Sequence, residues 1–179
     1  METKAKWVFD KAHTGIGFKV KHLMISNVKG SFSKYDAEIL TEGNDFTTAT
    51  IKFRMEAGSV DTANADRDKH LKSPDFFDAE KYKDITFTST SLKKADDENY
   101  KLTGDLTIKG ISKNVTLNVE FGGVVKDPWG NEKAGIMLTG KVYRKDWDLN
   151  WNVPLEAGGV LVGEEVSINI EAELQKVKE

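Results

Sequence analysis

Apolar and polar residues alternate with a period of two along most of this chain, which is the pattern of strands that bury one face. The alternation is most regular over residues 166–174. The other alternating segments are residues 15–21, 50–56, 102–108, 115–121 and 136–142, and a segment that Ile85 and Phe87 lead. With a less regular segment from Val28 to Leu40, the pattern predicts about eight strands, most of them long.

Two reversals indicate that these strands run antiparallel. Asp127-Pro128-Trp129-Gly130 has the residues that a type I turn favours, and Gly110-Ile111-Ser112-Lys113 is interpreted as another tight reversal. The chain has too few helical segments to cover both faces of a parallel sheet. A sandwich or a closed barrel remains, and closure would remove the exposed edges of such long strands.

Helix is expected only between about Asp61 and Lys81, in a charged and aromatic insert. Within it, Ser73-Pro74-Asp75 resembles an N-cap followed by a first helical turn, so we predict that a second short helix begins there. Phe76 and Phe77 follow and need an apolar environment. They either plug an open end of the sheet or form the rim of a pocket, and we favour the rim.

The segment from Asp146 to Glu164 is long and apolar for a connection between strands. It contains two tryptophans and a Gly158-Gly159 pair. It is interpreted either as a plug that packs the end of the barrel or as a lid that covers a ligand, and the sequence favours neither.

Composition narrows the functional classes. The 179 residues contain no repeat or linker, so one domain, residues 1–179, is predicted. The absence of cysteine excludes disulfides and thiolate chemistry, and a net charge of −3 with scattered lysines argues against nucleic acid as a partner. No membrane-spanning run and no signal peptide are recognisable, so a cytoplasmic protein is expected, or a periplasmic one if an export signal has been removed.

The sequence gives only weak support for a catalytic or a metal site. The three histidines His13, His22 and His70 lack the spacing that places two imidazoles on one helix face, so we interpret them as polar residues at the ends of elements and expect no metal. The signatures of serine hydrolases, phosphate-binding loops and dinucleotide folds are absent. Asn64, Asp66 and Asp68 have the spacing of a calcium loop, but Lys69 replaces the required glycine, which excludes that site.

A set of short motifs, in their order and spacing, covers nearly the whole chain. They are Trp7, Asp10, His13–Phe18, Val28–Phe32, Asp61–Thr62, Arg67–Leu71, Phe76–Asp78, Tyr82, Ile85–Thr90, Gly104–Gly110, Arg144 and Asp146. In these residues the chain resembles the YceI-like family, lipocalin-like barrels known as polyisoprenoid-binding proteins.

The resemblance implies a mainly β protein, an eight-stranded antiparallel lipocalin-like barrel with a short helical insert. It also implies non-enzymatic binding, transport or storage of a long isoprenoid lipid, of the polyprenyl phosphate or quinone type, often as a homodimer and without a cofactor. Fatty acids and their amides are close substitutes. The expected dimensions of the barrel agree with such a ligand, because tilted strands of ~11 residues enclose a lumen ~28 Å tall that accepts one slim molecule.

The apolar face of the strands and the family motifs together give the expected ligand contacts. Those expected in the lumen are Phe18, Phe53, Met55, Phe87, Leu106, Ile136 and Leu138. Those expected at the entrance and around the head group are His22, Arg67, His70, Leu71, Phe76, Phe77 and Arg144. No catalytic residue is expected.

The sequence leaves two alternatives open. One is an enzyme that acts on a lipid head group with a histidine as general base. The other is a barrel with a packed interior that acts through surface contacts, for example in a stress response. A tunnel inside the barrel would argue against the second.

Overall fold

The computed structural model describes residues 4–156 and 158–178. Within them the chain forms eleven strands, one α-helix and three short 3-10 helices. The strands are β1 Lys4–Phe9, β2 Gly15–His22, β3 Ser26–Phe32, β4 Tyr35–Glu42, β5 Asp45–Glu56, β6 Val60–Asp61, β7 Asp84–Lys94, β8 Asn99–Ile108, β9 Ile111–Lys126, β10 Glu132–Tyr143 and β11 Val162–Lys176. The helix α1 spans Ala65–Lys72, and the 3-10 helices span Lys11–His13, Ala57–Ser59 and Arg144–Trp147. None of the helices in this part of the chain is both long and apolar enough to cross a bilayer.

The strands close into an antiparallel barrel with eight positions around its circumference. Three positions are each occupied by two consecutive strands, because β1 and β2, β3 and β4, and β5 and β6 continue each other across short interruptions. The remaining positions are β7, β8, β9, β10 and β11, and β11 pairs with both β1 and β2 to complete the ring. The predicted mainly β, eight-stranded antiparallel barrel with a short helix is confirmed.

The period-two pattern sets which side chains point inward. Phe53 on β5 lies opposite Phe87 on β7, and Phe87 lies opposite Leu106 on β8, so one apolar row crosses three strands. Successive residues of a strand point to opposite faces, and the polar residues between these positions therefore face outward.

One end of the barrel, which we call the packed end, is filled by side chains. Its buried cluster consists of Trp7, Ile39, Phe46, Ala134, Ala172 and Leu174. Trp7 packs against Phe46 with ring centroids 4.9 Å apart and ring planes tilted by 53°, and its indole Nε1 donates a hydrogen bond to Thr41 Oγ1 at 2.9 Å. The opposite end, which we call the mouth, carries α1, the β2–β3 hairpin and the segment that follows β10.

One of the two predicted reversals is correct. Gly130 N donates to Asp127 O at 3.1 Å, which closes the predicted turn between β9 and β10. The reversal expected at Gly110–Lys113 is wrong by two residues, because Ile111 already begins β9 and pairs with Ile108. The turn residues are Lys109 and Gly110, whose φ values of 53° and 74° both lie in the left-handed region.

The helical insert contains one helix rather than two. Asn64 caps α1, since its side chain accepts a hydrogen bond from Arg67 N at 3.0 Å. The second helix predicted to begin at Ser73 is wrong: Ser73 ends α1 by donating from both N and Oγ to His70 O, and turns follow. The amides of Phe77 and Ala79 donate to Leu71 O and Lys72 O, which folds the chain back along α1 instead of into a new helix.

Candidate functional site

A cavity of about 740 Å³ occupies the interior of the barrel. This volume lies within the range of sites that enclose a small molecule. The alternative of a fully packed interior is therefore wrong for this chain.

The wall of the cavity is apolar except at the mouth. Apolar side chains from β2 to β11 and from the segment after β10 form most of it. The charged and polar members of the lining are Lys21, His22, Asn64, Asp66, Arg67, His70 and Arg144. They come from the end of β2, from α1 and its cap, and from the residue after β10, which all lie at the mouth. A molecule in this cavity would have an apolar body and one polar end.

The seven residues expected in the lumen all line the cavity. Phe87, Leu106 and Leu138 are buried, at 6%, 9% and 8% exposure. The other four are only half-buried although they sit on inward-facing positions, so part of their surface faces the cavity. That they contact a ligand stays a prediction.

The two phenylalanines after α1 lie at the mouth. Phe76 is buried, and its ring centroid is 5.1 Å from that of His70 and 5.4 Å from that of Trp151. Phe77 packs edge-on against Phe32 at 5.9 Å. Both rings line the cavity, as does Leu71, so they form part of its rim and not of the packed end.

The polar side chains of α1 are held by neighbours in the same insert. Arg67 donates from Nε to Thr62 Oγ1 at 2.8 Å and from Nη2 to Thr62 O at 2.7 Å. His70 Nε2 lies 2.9 Å from Asp75 Oδ2, and its ring stands edge-on to Trp151 at 4.6 Å. Both residues line the cavity, so a polar group at the mouth would meet them in fixed positions.

Arg144 is buried at 4% exposure and lines the cavity. Its guanidinium donates to backbone carbonyls of the segment that follows it: Nε to Gly163 O at 2.8 Å, Nη1 to Leu149 O at 2.6 Å and Trp151 O at 2.9 Å, and Nη2 to Val162 O at 3.3 Å. Burial lowers the pKa of Arg144, because desolvation penalises its charged form. Arg144 thus has a structural role, which is to hold this segment in place, and its contact with a head group stays a prediction.

The segment from Asp146 to Glu164 has two parts that correspond to the two interpretations of its sequence. Trp147 and Leu149 are buried, and Trp147 Nε1 donates to Leu106 O at 2.9 Å, so this part packs into the barrel wall like a plug. Farther along, Trp151, Leu161 and Val162 line the cavity at the mouth. The second part therefore lies at the entrance.

Sequence reasoning missed several cavity residues. Ile168 and Ile170 on β11 line it, and the regular alternation of that strand was a signal that could have found them. Lys21 and Asn64 also line it, and no local pattern distinguishes them from other surface residues.

His13 lies outside the cavity, in a cluster with Asp10 and Glu173 whose ligand atoms are close enough to hold a metal ion. Lys133 Nζ already lies 2.8 Å from Asp10 Oδ2 and 3.6 Å from Glu173 Oε1. The hydrogen bond from Lys133, and then that from His13, hold the pKa of Asp10 below its usual value. The ammonium group thus pairs with both carboxylates, and the cluster is an ion-pair network.

The family profile of the YceI-like domain matches residues 7–174. The chain belongs to the YceI-like family. The resemblance seen in the sequence is therefore confirmed. Among curated proteins, this YceI-like chain is 41% identical over 168 residues to a UPF0312 protein of Staphylococcus aureus strain MSSA476, which covers 93% of this chain and 95% of the relative.

Solved structures support the same assignment. The YceI protein of Campylobacter jejuni is 42% identical, with a TM-score of 0.76 over 95% of this YceI-like chain and 96% of the neighbour. A polyisoprenoid binding domain from Saccharophagus degradans, described as implicated in plant cell wall breakdown, has a TM-score of 0.66 at 14% identity and covers 94% of this chain and 97% of its own. At that identity the likeness concerns the fold.

Proposed function

We propose that this protein binds one long isoprenoid lipid, of the polyprenyl phosphate or quinone type, and stores or transports it without chemical change. The observation that carries the proposal is the apolar cavity of about 740 Å³ whose polar lining is confined to the mouth. The description of the Saccharophagus degradans neighbour as a polyisoprenoid binding domain agrees with this class of ligand.

The cavity suits a hydrocarbon tail. If one methylene-sized group needs about 30 Å³, as a water molecule does, the cavity holds roughly 25 such groups. Each buried methylene contributes about 0.8 kcal/mol, so a tail supplies ample affinity even after the cost of ordering it. The tail would lie along the aromatic and aliphatic rows, including Phe18, Phe53 and Ile136.

The mouth suits an electron-rich head group. Lys21, Arg67 and Arg144 bring three positive charges to the lining, against one negative charge from Asp66, in a chain whose net charge is −3. Arg and Lys bind phosphate and carbonyl oxygens through charge-assisted hydrogen bonds. A phosphate or quinone head group at the mouth is therefore favoured over a cationic one.

The test fills the cavity by one substitution. Ile136→Trp adds an indole to the lumen, whereas Met137→Trp, one residue along the same strand, places the same side chain on the outer face, where Met137 is 42% exposed. Native mass spectrometry should detect lipid in protein purified from cells and in protein loaded with a polyprenyl phosphate. We expect Ile136→Trp to lower bound lipid about tenfold and Met137→Trp to leave it unchanged. Wild-type protein that is always empty and accepts no prenyl compound would contradict the proposal.

A second candidate, an enzyme acting on the head group, rests on one observation. His70 lines the cavity and lies within hydrogen-bond reach of Asp75, which is how a carboxylate orients a general base. The cavity lining contains no hydroxyl or thiol side chain among the described residues, so His70 as a general base would act by activating a water molecule. Incubation with a polyprenyl phosphate, followed by mass spectrometry of the lipid, separates the two functions. Loss of phosphate that His70→Gln abolishes would support the enzyme, and recovery of intact lipid would support the carrier.

A further inference from the structure

The β2–β3 hairpin ends in an exposed apolar turn, which we call the hairpin tip and which consists of Leu23, Met24 and Ile25. These residues are 40%, 51% and 86% exposed. Consecutive apolar side chains in water are unfavourable for an isolated surface turn, and larger patches of this kind mark interaction sites.

The backbone of the hairpin tip is also poorly suited to its residues. Leu23 and Met24 have φ values of 55° and 62°, and Ile25 N donates to His22 O at 3.3 Å, which describes a turn with two left-handed central residues. Asn-Gly is the favoured pair in such a turn. Both the left-handed backbone and the exposure to water disfavour Leu and Met at these positions. Their presence is therefore a feature of a functional surface.

The hairpin around the tip is positively charged. Residues 19–29 contain Lys19, Lys21 and Lys29 and no acidic residue, in a chain whose net charge is −3. Lys19 and Lys29 lie directly opposite each other on β2 and β3. Like charges directly opposite each other on paired strands are destabilising, and a negative surface nearby would offset this cost.

The hairpin tip is continuous with the mouth of the cavity. Leu23 N donates to Leu161 O at 2.9 Å, and Met24 packs so closely on Gly159 that a Cβ there would lie 3.3 Å from its Cγ. Leu161 and His22 line the cavity. Val153, in the segment at the mouth, adds another exposed apolar side chain at 42%.

We propose that the hairpin tip docks on the surface of a bilayer that contains anionic lipids. Its apolar side chains enter the interface while the lysines of the hairpin face the lipid phosphates, the combination that binds peripheral proteins to membranes. The proposal rests on the proposed function in one respect, because the ligand is itself a membrane lipid. Docking places the mouth at the bilayer, so the ligand moves between membrane and cavity without crossing water.

The experiment measures binding to vesicles by sedimentation. One set of vesicles contains phosphatidylcholine alone, and the other contains phosphatidylcholine and phosphatidylglycerol in equal parts. The tip variant is Leu23→Asn, Met24→Gly and Ile25→Ser, which supplies the residues that the turn favours and is expected to fold at least as stably as the wild type. The charge variant is Lys19→Gln with Lys29→Gln. The matched control is Val125→Ser with Trp129→Ser, which removes side chains that are 66% and 80% exposed near the packed end.

We expect wild-type protein to bind the anionic vesicles and to dissociate as salt is added. The tip variant should bind about tenfold more weakly. The charge variant should have about tenfold lower affinity for anionic vesicles and unchanged affinity for neutral ones. The control variant should bind both kinds of vesicle as the wild type does.

Loading with a polyprenyl phosphate in solution, read by native mass spectrometry, separates the two proposals. A wild type that takes up lipid but does not bind vesicles, or a tip variant that binds them as well as the wild type, would overturn docking and leave lipid binding intact. An empty wild type that still binds vesicles would overturn lipid binding alone. A dimer that buries the tip, detected as efficient cross-linking of Ile25→Cys in this cysteine-free chain, would also overturn docking.

Discussion

At the scale of single residues, Arg144 shows how one side chain serves both the barrel and its cavity. Its acceptors in the described chain are four backbone carbonyls, so its charge is not cancelled by a carboxylate in direct contact. Sequence reasoning placed Arg144 near the cavity but could not show that its donors bind the backbone, because that depends on where residues 149–163 fold.

The role of Arg144 in holding that segment gives the first prediction. Arg144→Met leaves the carbonyls of Leu149, Trp151, Val162 and Gly163 without their donor, so we expect the free energy of unfolding to fall by about 3 kcal/mol. Arg144→Lys keeps the charge with fewer donors and should lose less. Urea denaturation measures the stability, and limited proteolysis should show earlier cleavage in residues 149–161. Unchanged stability of Arg144→Met would refute the holding role.

Asp10 gives a prediction about pH. Lys133 and His13 lower the pKa of Asp10 from its ordinary value of 3.8, so the folded state binds this proton more weakly than the unfolded state does. The stabilisation is therefore present above pH 3.8 and is lost as the pH falls through the lower, folded pKa. Asp10→Asn should cost about 1–2 kcal/mol at neutral pH and should reduce the loss of stability on acidification below about pH 4.

Chemical denaturation at several pH values tests this. Glu120→Gln, at an exposed position of β9, is the control and should leave the pH profile as it is. If the free energy of unfolding of Asp10→Asn falls with acid in parallel with that of the wild type, the ion pair does not contribute to stability.

At the scale of elements, the strands other than β1 and β6 were predictable, because each buries one face and so repeats with period two. The three interruptions of the barrel strands were not predicted, since Ser33-Lys34 and the 3-10 helices Lys11–His13 and Ala57–Ser59 carry no strong local signal. The wrong prediction of a second helix at Ser73 has a different cause. Its capping pattern is favourable for a helix, but the amides of Phe77 and Ala79 bind carbonyls of Leu71 and Lys72 instead, and that competition is settled by packing on α1.

The β8–β9 turn allows a stabilising substitution. Lys109 and Gly110 both have left-handed φ, and Asn-Gly is the pair that such a turn favours. Lys109→Asn should therefore raise the free energy of unfolding by roughly 0.5–1 kcal/mol, which corresponds to about 1–4 °C in Tm for a domain of this size.

Gly110→Ala is the opposing control for this turn. It should destabilise the protein, because its φ is 74° and a Cβ would lie 3.2 Å from the ring of Tyr82. Calorimetry gives both Tm values, and a rise in Tm for Gly110→Ala would contradict the assigned turn.

At the scale of the whole molecule, the cavity inside the barrel means that folding and ligand binding are linked. Cavity walls without a partner lose van der Waals contacts, and a ligand that binds only the folded state restores them. A prenyl ligand at 100 times its Kd should stabilise the protein by about 2.7 kcal/mol, or roughly 5–10 °C in Tm.

Delipidated protein should accordingly melt lower than protein loaded with a polyprenyl phosphate. Ile136→Trp should show little of this difference, because its indole already occupies part of the lumen, whereas Met137→Trp should behave like the wild type. Equal Tm values for loaded and delipidated wild type would mean that the lipid is not held inside the barrel.

The packed end around Trp7 has a consequence for the order of events. A barrel that is closed at one end has a single opening, so the proposed lipid would enter with its hydrocarbon end first and leave with that end last. Every exchange would then present the head group to the outside, where a receiving protein or membrane could bind it before the rest of the molecule has moved.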